Sequence, residues 1–256
     1  MANPLPTLRG SSQQALFPFT RTVSFLTRVN KFQNGTEQRW PSRAPLYSFE
    51  LRMSALLAAD QSGWLSFFNT QKGRLNQDLT LTLGSTTYSH LALQSDGLQQ
   101  QTSSPKLYDQ VVSLRQTQNA SWTPPSMPAS SYPTLSAGVV CEYPFTESSE
   151  FFSSVQDSEI GQRYVYAWYA AGLTGFPSNY QRTWKLEYPV LSDADLATLE
   201  TFFMTQQGRY SSFSFTDPVD TLTYTHVRFD SDQFQIRYQD YNRSSVTVLL
   251  RQTNNS

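Results

Sequence analysis

Histidine and cysteine, which commonly bind metal ions or act as nucleophiles and bases, are rare in this sequence, with two histidines and one cysteine. The two histidines, His90 and His226, recur in similar local sequence. Neither has a carboxylate or cysteine at the alternate positions beside it, and a metal site would need such ligands on the same face. We therefore predict a structural role for both histidines, each next to a tyrosine.

Glycosidases need two carboxylates roughly 5–10 Å apart, so closely spaced acidic residues deserve inspection. Three such pairs are Asp193 with Asp195, Asp217 with Asp220, and Glu147 with Glu150. The first pair opens a predicted helix, where the helix dipole favours acidic side chains. The second flanks a proline turn, a common position for Asp, and the third lies in a Ser-rich stretch predicted to be a loop. Each pair has a structural explanation that is better than a catalytic one.

The sequence also lacks motifs for disulfide bonds, phosphate binding, nucleophilic catalysis and zinc-dependent hydrolysis. Cys141 is the single cysteine, which excludes an internal disulfide framework and a multi-cysteine metal site. No Gly-rich phosphate loop, nucleophile elbow or HExxH motif is present. We predict no catalytic, cofactor-binding or metal-binding residues, no cofactor, and no enzymatic activity.

The composition favours antiparallel β structure and extensive burial against neighbours. Charged residues make up 15% of the 256 residues and aromatic residues 14%. Aromatic and Thr side chains suit a pleated, half-buried surface, and protein interfaces are depleted in charge and rich in aromatics. The net charge of −1 argues against nucleic acid as a principal partner.

Nothing in the sequence indicates export or membrane insertion. Residues 1–20 lack the apolar core of a signal peptide, and no run of 18 apolar residues occurs. We expect the chain to be made and assembled in a cytoplasm, without a membrane partner.

An internal repeat is the strongest signal in the chain. Three blocks recur in order at nearly constant spacing: FFNTQKGR (67–74) as FFMTQQGR (202–209), TYSH (87–90) as TYTH (223–226), and VSLRQT (112–117) as VLLRQT (248–253). The starts match more loosely, as FPFT at 17–20 and YPFT at 143–146. We predict two tandem domains, at 1–118 and 135–256, joined by an extended Pro-rich linker at 119–134.

Each copy is predicted to contain one helix among several strands. In the second copy, Ser192 is a natural N-cap with Asp195 three positions later, and Gly208 follows the last turn. An apolar stripe joins the two ends and predicts core positions: Leu196, Leu199, Phe202 and Phe203. The first copy repeats the pattern with Asp60, Trp64, Phe67, Phe68 and Gly73. Short alternating segments elsewhere predict a small barrel or sandwich with the helix packed on it.

The order of these elements resembles the minor tail and distal tail proteins of long-tailed phages, in particular the lambda-type minor tail protein M and the gene-transfer-agent type. The resemblance is carried by GTEQR at 35–39, a strand with Phe49 and Leu51, a helix ending at Phe67-Phe68, and Gly73. The second copy carries the aromatic strand and proline turn at 213–218, where the first copy departs with LTLTLG at 79–84. The second copy departs earlier, with EIGQR at 159–163.

The resemblance implies a mainly-β fold of two tail-tube-like split β-barrel domains and a structural role in the virion tail. It implies a ring that adapts the sixfold tail tube to a threefold hub or fibres, with no active site. The implied partners are further copies of the chain, the tube protein and a hub or fibre protein, with the tape measure protein as a further candidate. Three chains would supply six similar domains, which favours a pseudo-hexameric trimer over a hexamer.

A carbohydrate-binding, lectin-like module is the alternative function, because exposed Trp and Tyr side chains can stack on sugars. The two hypotheses differ in where the aromatic side chains lie. Placement on the helix stripe and on inward strand faces favours a core, whereas a sugar platform requires exposed rings.

Overall fold

The structure is a computed structural model that describes residues 3–8, 13–31, 37–41, 44–75, 78–120, 122–123, 128–142 and 182–253. Its described part is mainly β, which confirms the predicted class. We call residues 3–120 the first half and residues 128–253 the second half. The segments 143–146 and 159–163, used above for the repeat and the resemblance, lie outside the described residues.

The described residues of the first half form nine strands and one helix. In chain order they are β1 (Asn3–Pro4), β2 (Phe19–Ser24), β3 (Thr27–Lys31), β4 (Glu37–Pro41), β5 (Leu46–Leu57), α1 (Ala58–Gln71), β6 (Leu79–Leu83), β7 (Thr86–Leu93), β8 (Gln99–Ser104) and β9 (Leu107–Gln116). A short 3-10 turn, Gly73–Leu75, follows α1.

The described part of the second half contains six strands and one helix. They are β10 (Val140–Glu142), β11 (Thr183–Leu191), α2 (Asp193–Gln206), β12 (Phe213–Thr216), β13 (Thr223–Phe229), β14 (Gln233–Asp240) and β15 (Arg243–Gln252). In the described part of each half, one helix directly follows a long strand, as the repeat predicts.

One continuous sheet runs through both halves. Its order is β1-β6-β7-β9-β5-β2-β14-β15-β11-β10, with β8 paired to β9 and with β12 and β13 beside β15. Strand β2 joins the halves, because it pairs with β5 on one side and with β14 on the other. Among the described strands there is no closed barrel. The mainly-β class is confirmed, and the finer expectation of two split β-barrel or sandwich domains stays a prediction, since main-chain hydrogen bonds join the two halves in one sheet.

Two hydrophobic cores lie on the helix side of this sheet. The first contains Leu5, Leu8, Phe19, Phe49, Leu51, Met53, Leu56, Trp64, Leu79, Leu81, Tyr88, Leu91, Leu93, Val112 and Leu114. The second is larger and more aromatic, and includes Trp184, Leu186, Phe202, Phe203, Phe213, Phe215, Phe229, Phe234 and Ile236. Tyr47 and Tyr238 pack against both cores, so the two are adjacent.

Helix α2 begins and ends where its sequence predicts. Ser192 is the N-cap, and its hydroxyl accepts from the Asp195 backbone N–H at 3.1 Å. All four stripe residues are buried: Leu196, Leu199, Phe202 and Phe203. The helix closes with two left-handed residues, Gln207 (φ 54°) and Gly208 (φ 64°), so the left-handed turn starts one residue before the predicted glycine.

Helix α1 has a less complete N-cap and a less buried apolar stripe than α2. Its N-cap position is Leu57, and only the Asp60 carboxylate accepts there, from the Leu57 backbone N–H at 3.3 Å. Trp64 is buried, whereas Phe67 and Phe68 are half-buried against the first core. The prediction of Phe67 as a core residue therefore holds less well than that of Phe202.

Both helices end on a glycine pressed against an aspartate. A Cβ atom on Gly73 would lie 2.9 Å from Asp96 Oδ1, and one on Gly208 would lie 2.7 Å from Asp232 Oδ1. Both glycines have positive φ, a conformation that costs side-chain-bearing residues energy. The two recurring glycines thus occupy equivalent and sterically restricted positions.

Part of the predicted linker belongs to the second core. Tyr132 N donates to Ser214 O at 2.8 Å, and Ser214 N donates to Ser130 O at 2.8 Å. The Tyr132 ring contacts Phe202 and Phe213. The segment is extended, as its prolines predict, but from residue 128 onward it is packed and is not a spacer.

The packed segment is the counterpart of the N-terminus. Strand β1 runs parallel to β6, with Leu5 N donating to Thr80 O at 3.0 Å. Ser131 makes the same parallel bridge to Ser214 in β12. The sequences agree as well, since LPTL at 5–8 recurs as YPTL at 132–135. The similarity between the halves therefore starts before residue 135, the boundary predicted from sequence.

Candidate assembly surfaces

The histidines hold equivalent bulges in β7 and β13. His90 and His226 have positive φ, 55° and 57°. Each carbonyl oxygen accepts from the backbone N–H (2.9 Å) and the hydroxyl (3.0 Å) of one threonine, Thr117 for His90 and Thr253 for His226. His90 Nδ1 also lies 3.3 Å from Asp78 Oδ1. Both histidines therefore act through their backbone carbonyls, which bind the threonines that follow β9 and β15.

Asp193 and Asp195 do not form an acid–base pair. Asp195 accepts from the Ser136 backbone N–H at 3.0 Å and from the Ser136 hydroxyl at 2.6 Å, which ties the segment before β10 to α2. These hydrogen bonds lower the pKa of the Asp195 carboxyl. Asp193 donates its backbone N–H to Asn242 Oδ1 at 2.7 Å. Both residues serve the start of the helix.

Asp217 and Asp220 organise the turn between β12 and β13. Asp217 is fully buried and accepts from Trp184 Nε1 and from the Val219 backbone N–H, both at 2.8 Å. Asp220 accepts from Arg182 Nη1 at 2.7 Å and from the Tyr224 hydroxyl at 2.6 Å. The Tyr224 hydrogen bond is the main reason that the pKa of Asp220 is lowered. The first half has Gly84 and a tight turn here, as its different sequence predicted.

Replacing Asp217 by Ala should cost about 1–3 kcal/mol of unfolding free energy, since the buried Trp184 N–H would lose its acceptor. Phe49 lies opposite Leu114 as Trp184 lies opposite Leu250, the repeat counterpart of Leu114, so position 49 corresponds to 184 and its Phe needs no acceptor. The matched control is Trp184→Phe, and urea denaturation of the single and double variants measures the coupling. An equal loss from Asp217→Ala in both backgrounds would show that the indole contact is not the cause.

The other chemically notable residues add no site. Glu147 and Glu150 lie outside the described residues. Cys141 is half-buried in β10 and packs against the second core. Within the described ranges, no three His, Cys, Asp or Glu side chains are grouped in a way that could hold a metal ion. In the same ranges, no helix has the length and apolarity to cross a membrane.

A buried arginine, which the sequence interpretation missed, lies at the junction of the halves. Arg21 in β2 is 8% exposed and donates hydrogen bonds to the Tyr88 hydroxyl and to the Glu200 carboxylate of α2. Its guanidinium lies 5.5 Å from the ring centre of Tyr238 and 6.0 Å from that of Tyr47. First-half and second-half side chains therefore enclose one cation. The sequence feature that could have revealed Arg21 is its charge at a strand position that faces inward by alternation, between Phe19 and Val23.

The cluster perturbs the ionisation of its members. Burial lowers the pKa of Arg21, but Glu200 and the tyrosines raise it by more, so the guanidinium stays charged. Burial, with a further contribution from Glu200, raises the pKa of Tyr47 to about 12. Burial also raises the pKa values of Tyr88 and Tyr238, although Arg21 opposes both shifts.

These shifts predict alkaline destabilisation. An unfolded chain ionises tyrosine near pH 10, whereas folded Tyr47 ionises at about 12. Unfolding therefore releases a proton in this window, and the stabilisation, complete below pH 10, is lost as the pH rises toward 12. Urea melts at successive pH values should show the loss, and Tyr47→Phe should make it shallower. A slope unchanged by Tyr47→Phe would assign the effect to other groups.

The β3–β4 hairpin of the first half docks on the second half. Thr27 donates its backbone N–H and its hydroxyl to the Asp232 carboxylate, both at 2.8 Å. Arg39 pairs with Glu37 and donates to the Arg209 carbonyl at 2.7 Å. Arg251 Nη2 lies 2.9 Å from Glu37 Oε1. The contact between the halves thus extends beyond the sheet to a separate hairpin.

The sheet face opposite the helices is polar. Strand side chains alternate between faces, and the inward ones make the cores. The outward ones are mostly hydroxyl and amide groups, for example Thr20, Thr22, Ser48, Gln99, Gln101, Gln233, Gln235, Gln239, Ser245 and Thr247. Charged residues also lie on this face, and some of them are paired, such as Arg52 with Glu50 at 2.7 Å and Lys185 with Glu187 at 2.6 Å. This face is suited to water and needs no apolar partner.

The edge formed by β8 lacks the usual protection against strand pairing. In the described part of the chain, β8 pairs only with β9. Its sequence, QQQTSS, contains neither a charged residue nor a proline, the features that commonly blunt an exposed edge. Most of its residues are exposed. The edge is therefore a candidate surface for a further strand.

No protein-family model matches the chain, and no curated protein matches it.

Proposed function

We propose that this chain is a structural subunit that assembles into a ring in the distal part of a phage tail, between the tail tube and a hub or fibres. The unprotected edge of β8, on a sheet that already runs through two similar halves, is the observation that carries the proposal. A strand edge of this kind is a template for another chain. Its proposed location is the virion tail, after assembly in the host cytoplasm.

The equivalence of the halves supports a tandem duplication of one tail-tube-like β domain. The contact of Gly73 with Asp96 is equivalent to that of Gly208 with Asp232. The bulges at the two histidines are equivalent as well, because a threonine donates to each histidine carbonyl. The parallel bridges of β1 and of Ser131 match as well. A chain with two such domains can supply two similar positions in a ring, so three chains would make a pseudo-sixfold face.

Carbohydrate binding, the alternative, has less support. Trp64 and Trp184 are 1% and 0% exposed and act as core residues. Among the described residues, exposed aromatic side chains include Phe17 before β2, Trp40 in β4 and Tyr241 between β14 and β15. Stacking on a sugar needs exposed rings, so the burial of Trp64 and Trp184 favours assembly.

The test is the location and copy number of the chain in particles. Antibody labelling should mark the distal tail, and a reconstruction without imposed symmetry should show three copies around the tail axis. Six copies would refute the trimer and leave the ring in place. Glycan binding by the purified chain, together with its absence from particles, would reject the structural role.

A further inference from the structure

Arginine side chains from different elements meet where the β3–β4 hairpin rests on the second half. Arg39 of β4, whose side chain is 4% exposed, donates to the Arg209 carbonyl at 2.7 Å. Arg228 of β13 donates to the next carbonyl along the chain, that of Tyr210. Because these two carbonyls are adjacent, the guanidinium groups of Arg39 and Arg228 are held close together just after the end of α2.

A third guanidinium, that of Arg251 in β15, joins this group through a shared carboxylate. Arg251 Nη2 lies 2.9 Å from Glu37 Oε1, and Arg39 Nη2 pairs with Glu37 Oε2. Arg251 Nε also lies 3.4 Å from Asp230 Oδ1. Two carboxylates, Glu37 and Asp230, are thus engaged by Arg39 and Arg251.

The two other arginines of the cluster have no such partner. In the part of the chain that the structure describes, neither Arg209 nor Arg228 pairs with a carboxylate. The nearby Asp232 carboxylate accepts from the Arg209 backbone N–H and from Thr27. Arg209 Nε and Arg39 Nε are buried without a hydrogen-bond partner. Buried donors in proteins are normally satisfied, and an ion is one way of doing so.

The positive charges of the cluster act on one another. Burial, and after it the charge of Arg39, lower the pKa of Arg228 to about 10, although Glu37 opposes the shift. Burial also lowers the pKa of Arg39 despite its hydrogen bond to Glu37, and the charges of Arg209 and Arg251 add to this shift. The arginines therefore repel one another, and a further negative charge among them would be stabilising.

The repeated fold does not require this cluster. The repeat of the two histidines places Ala92 of the first half at the position of Arg228, and Gln94 at that of Asp230. Arg115, the counterpart of Arg251, is exposed. The cluster is therefore a property of the second half together with the hairpin docked on it.

We propose that this arginine cluster binds a phosphate group, held chiefly by Arg209 and Arg228 beside the docked hairpin. Guanidinium forks match the oxygen geometry of phosphate, and arginine clusters are a recurring means of phosphate recognition. Arg39 comes from the first half and Arg228 from the second, so the bound group would fasten the hairpin to the second half. The site lies within one chain and goes beyond the proposed ring.

Titration of the chain with inorganic phosphate tests the site. Phosphate should raise the melting temperature in a saturable way, because a ligand that binds only the folded state stabilises it. Sodium chloride and sodium acetate at the same ionic strength should give smaller shifts that do not saturate. A shift that chloride reproduces would overturn the proposal.

Substitution of Arg209 separates binding from folding. Arg209→Met should weaken phosphate binding in calorimetry roughly ten- to hundredfold, as expected for the loss of a charged hydrogen-bond donor. Without phosphate, the same variant should melt no lower than the wild type, because Met keeps the apolar stem and removes a repelling charge. Arg209→Lys keeps the charge without the fork, and its affinity should lie between the two.

Arg115→Met is the matched control, since it removes an exposed arginine at the counterpart of Arg251. It should leave phosphate binding unchanged. Equal phosphate affinities of the wild type and Arg209→Met would show that the cluster is not the site, and so would an equal loss from Arg115→Met.

A second ligand identifies the source of the phosphate group. Displacement of inorganic phosphate by a short dT oligonucleotide, with weaker displacement from Arg209→Lys, would keep the site and assign it to a nucleic-acid backbone. Phosphate binding that the oligonucleotide does not disturb would keep the site and assign it to free phosphate. Oligonucleotide binding that Arg209→Met leaves unchanged, in a chain that does not bind inorganic phosphate, would overturn the proposal.

Discussion

Replacing Phe202 by Ala should destabilise the chain by roughly 3–5 kcal/mol, the usual range for truncating a buried phenylalanine. Phe202 is 5% exposed and lies at the centre of the second core. Its ring packs edge-on against Phe213 at 4.9 Å and against Tyr132 at 5.3 Å. Truncation would leave a cavity bordered by α2, β12 and the segment at 128–133, none of which can easily close it.

Phe67→Ala is the matched control, because it is the same substitution at the recurring position. Phe67 is half-buried against the first core, so we expect a clearly smaller loss. Chemical denaturation of both variants measures the difference. A loss below about 1 kcal/mol for Phe202→Ala would mean that this ring does not fill the second core.

Replacing Arg21 by Met should cost about 3–5 kcal/mol, the range found when one partner of a buried ion pair is removed. The Glu200 side chain is 18% exposed and would lose the guanidinium that pairs with it. The Tyr88 hydroxyl would lose its donor, and three aromatic rings would lose the cation they surround. Arg21 lies opposite Ile236 across the junction, so the loss should weaken the link between the halves.

Two further variants test this cause. Adding Glu200→Gln to Arg21→Met removes the uncompensated charge and should recover part of the stability. Arg52→Met removes an arginine from the exposed pair with Glu50, whose side chains are 67% and 42% exposed, and should cost less than about 1 kcal/mol. Equal losses from Arg21→Met and Arg52→Met in urea melts would contradict the role of burial.

Local features of this fold were predictable because neighbouring residues determine them. Ser192, the apolar stripe of α2 and Gly208 specify a helix with its ends, because capping and periodicity act within a few residues. The mainly-β class follows from alternation in the same way. Helix α1 was less well predicted at Phe67, since its exposure depends on how the first core is filled.

Residues whose structural partners are distant in sequence could not be assigned correctly from the sequence. Tyr132 was assigned to a linker because prolines surround it, yet its ring enters the second core and its hydroxyl lies 3.2 Å from that of Tyr188. Arg21 was overlooked because its partners Tyr88 and Glu200 are distant in sequence. The same holds for the second role of Asp217, as acceptor for Trp184, which lies 33 residues away in sequence.

The sequence by itself determined the class, the repeating order of elements, both helices and the absence of any recognisable catalytic motif. Only the tertiary structure decided that β2 is shared between the halves and that the strands of both halves form one sheet. The physical reason is that periodicity specifies which face of a strand is apolar, and says nothing about which strand lies beside it. Pairing depends on backbone groups that every residue carries, so the choice of neighbour is made by the packing of the whole chain.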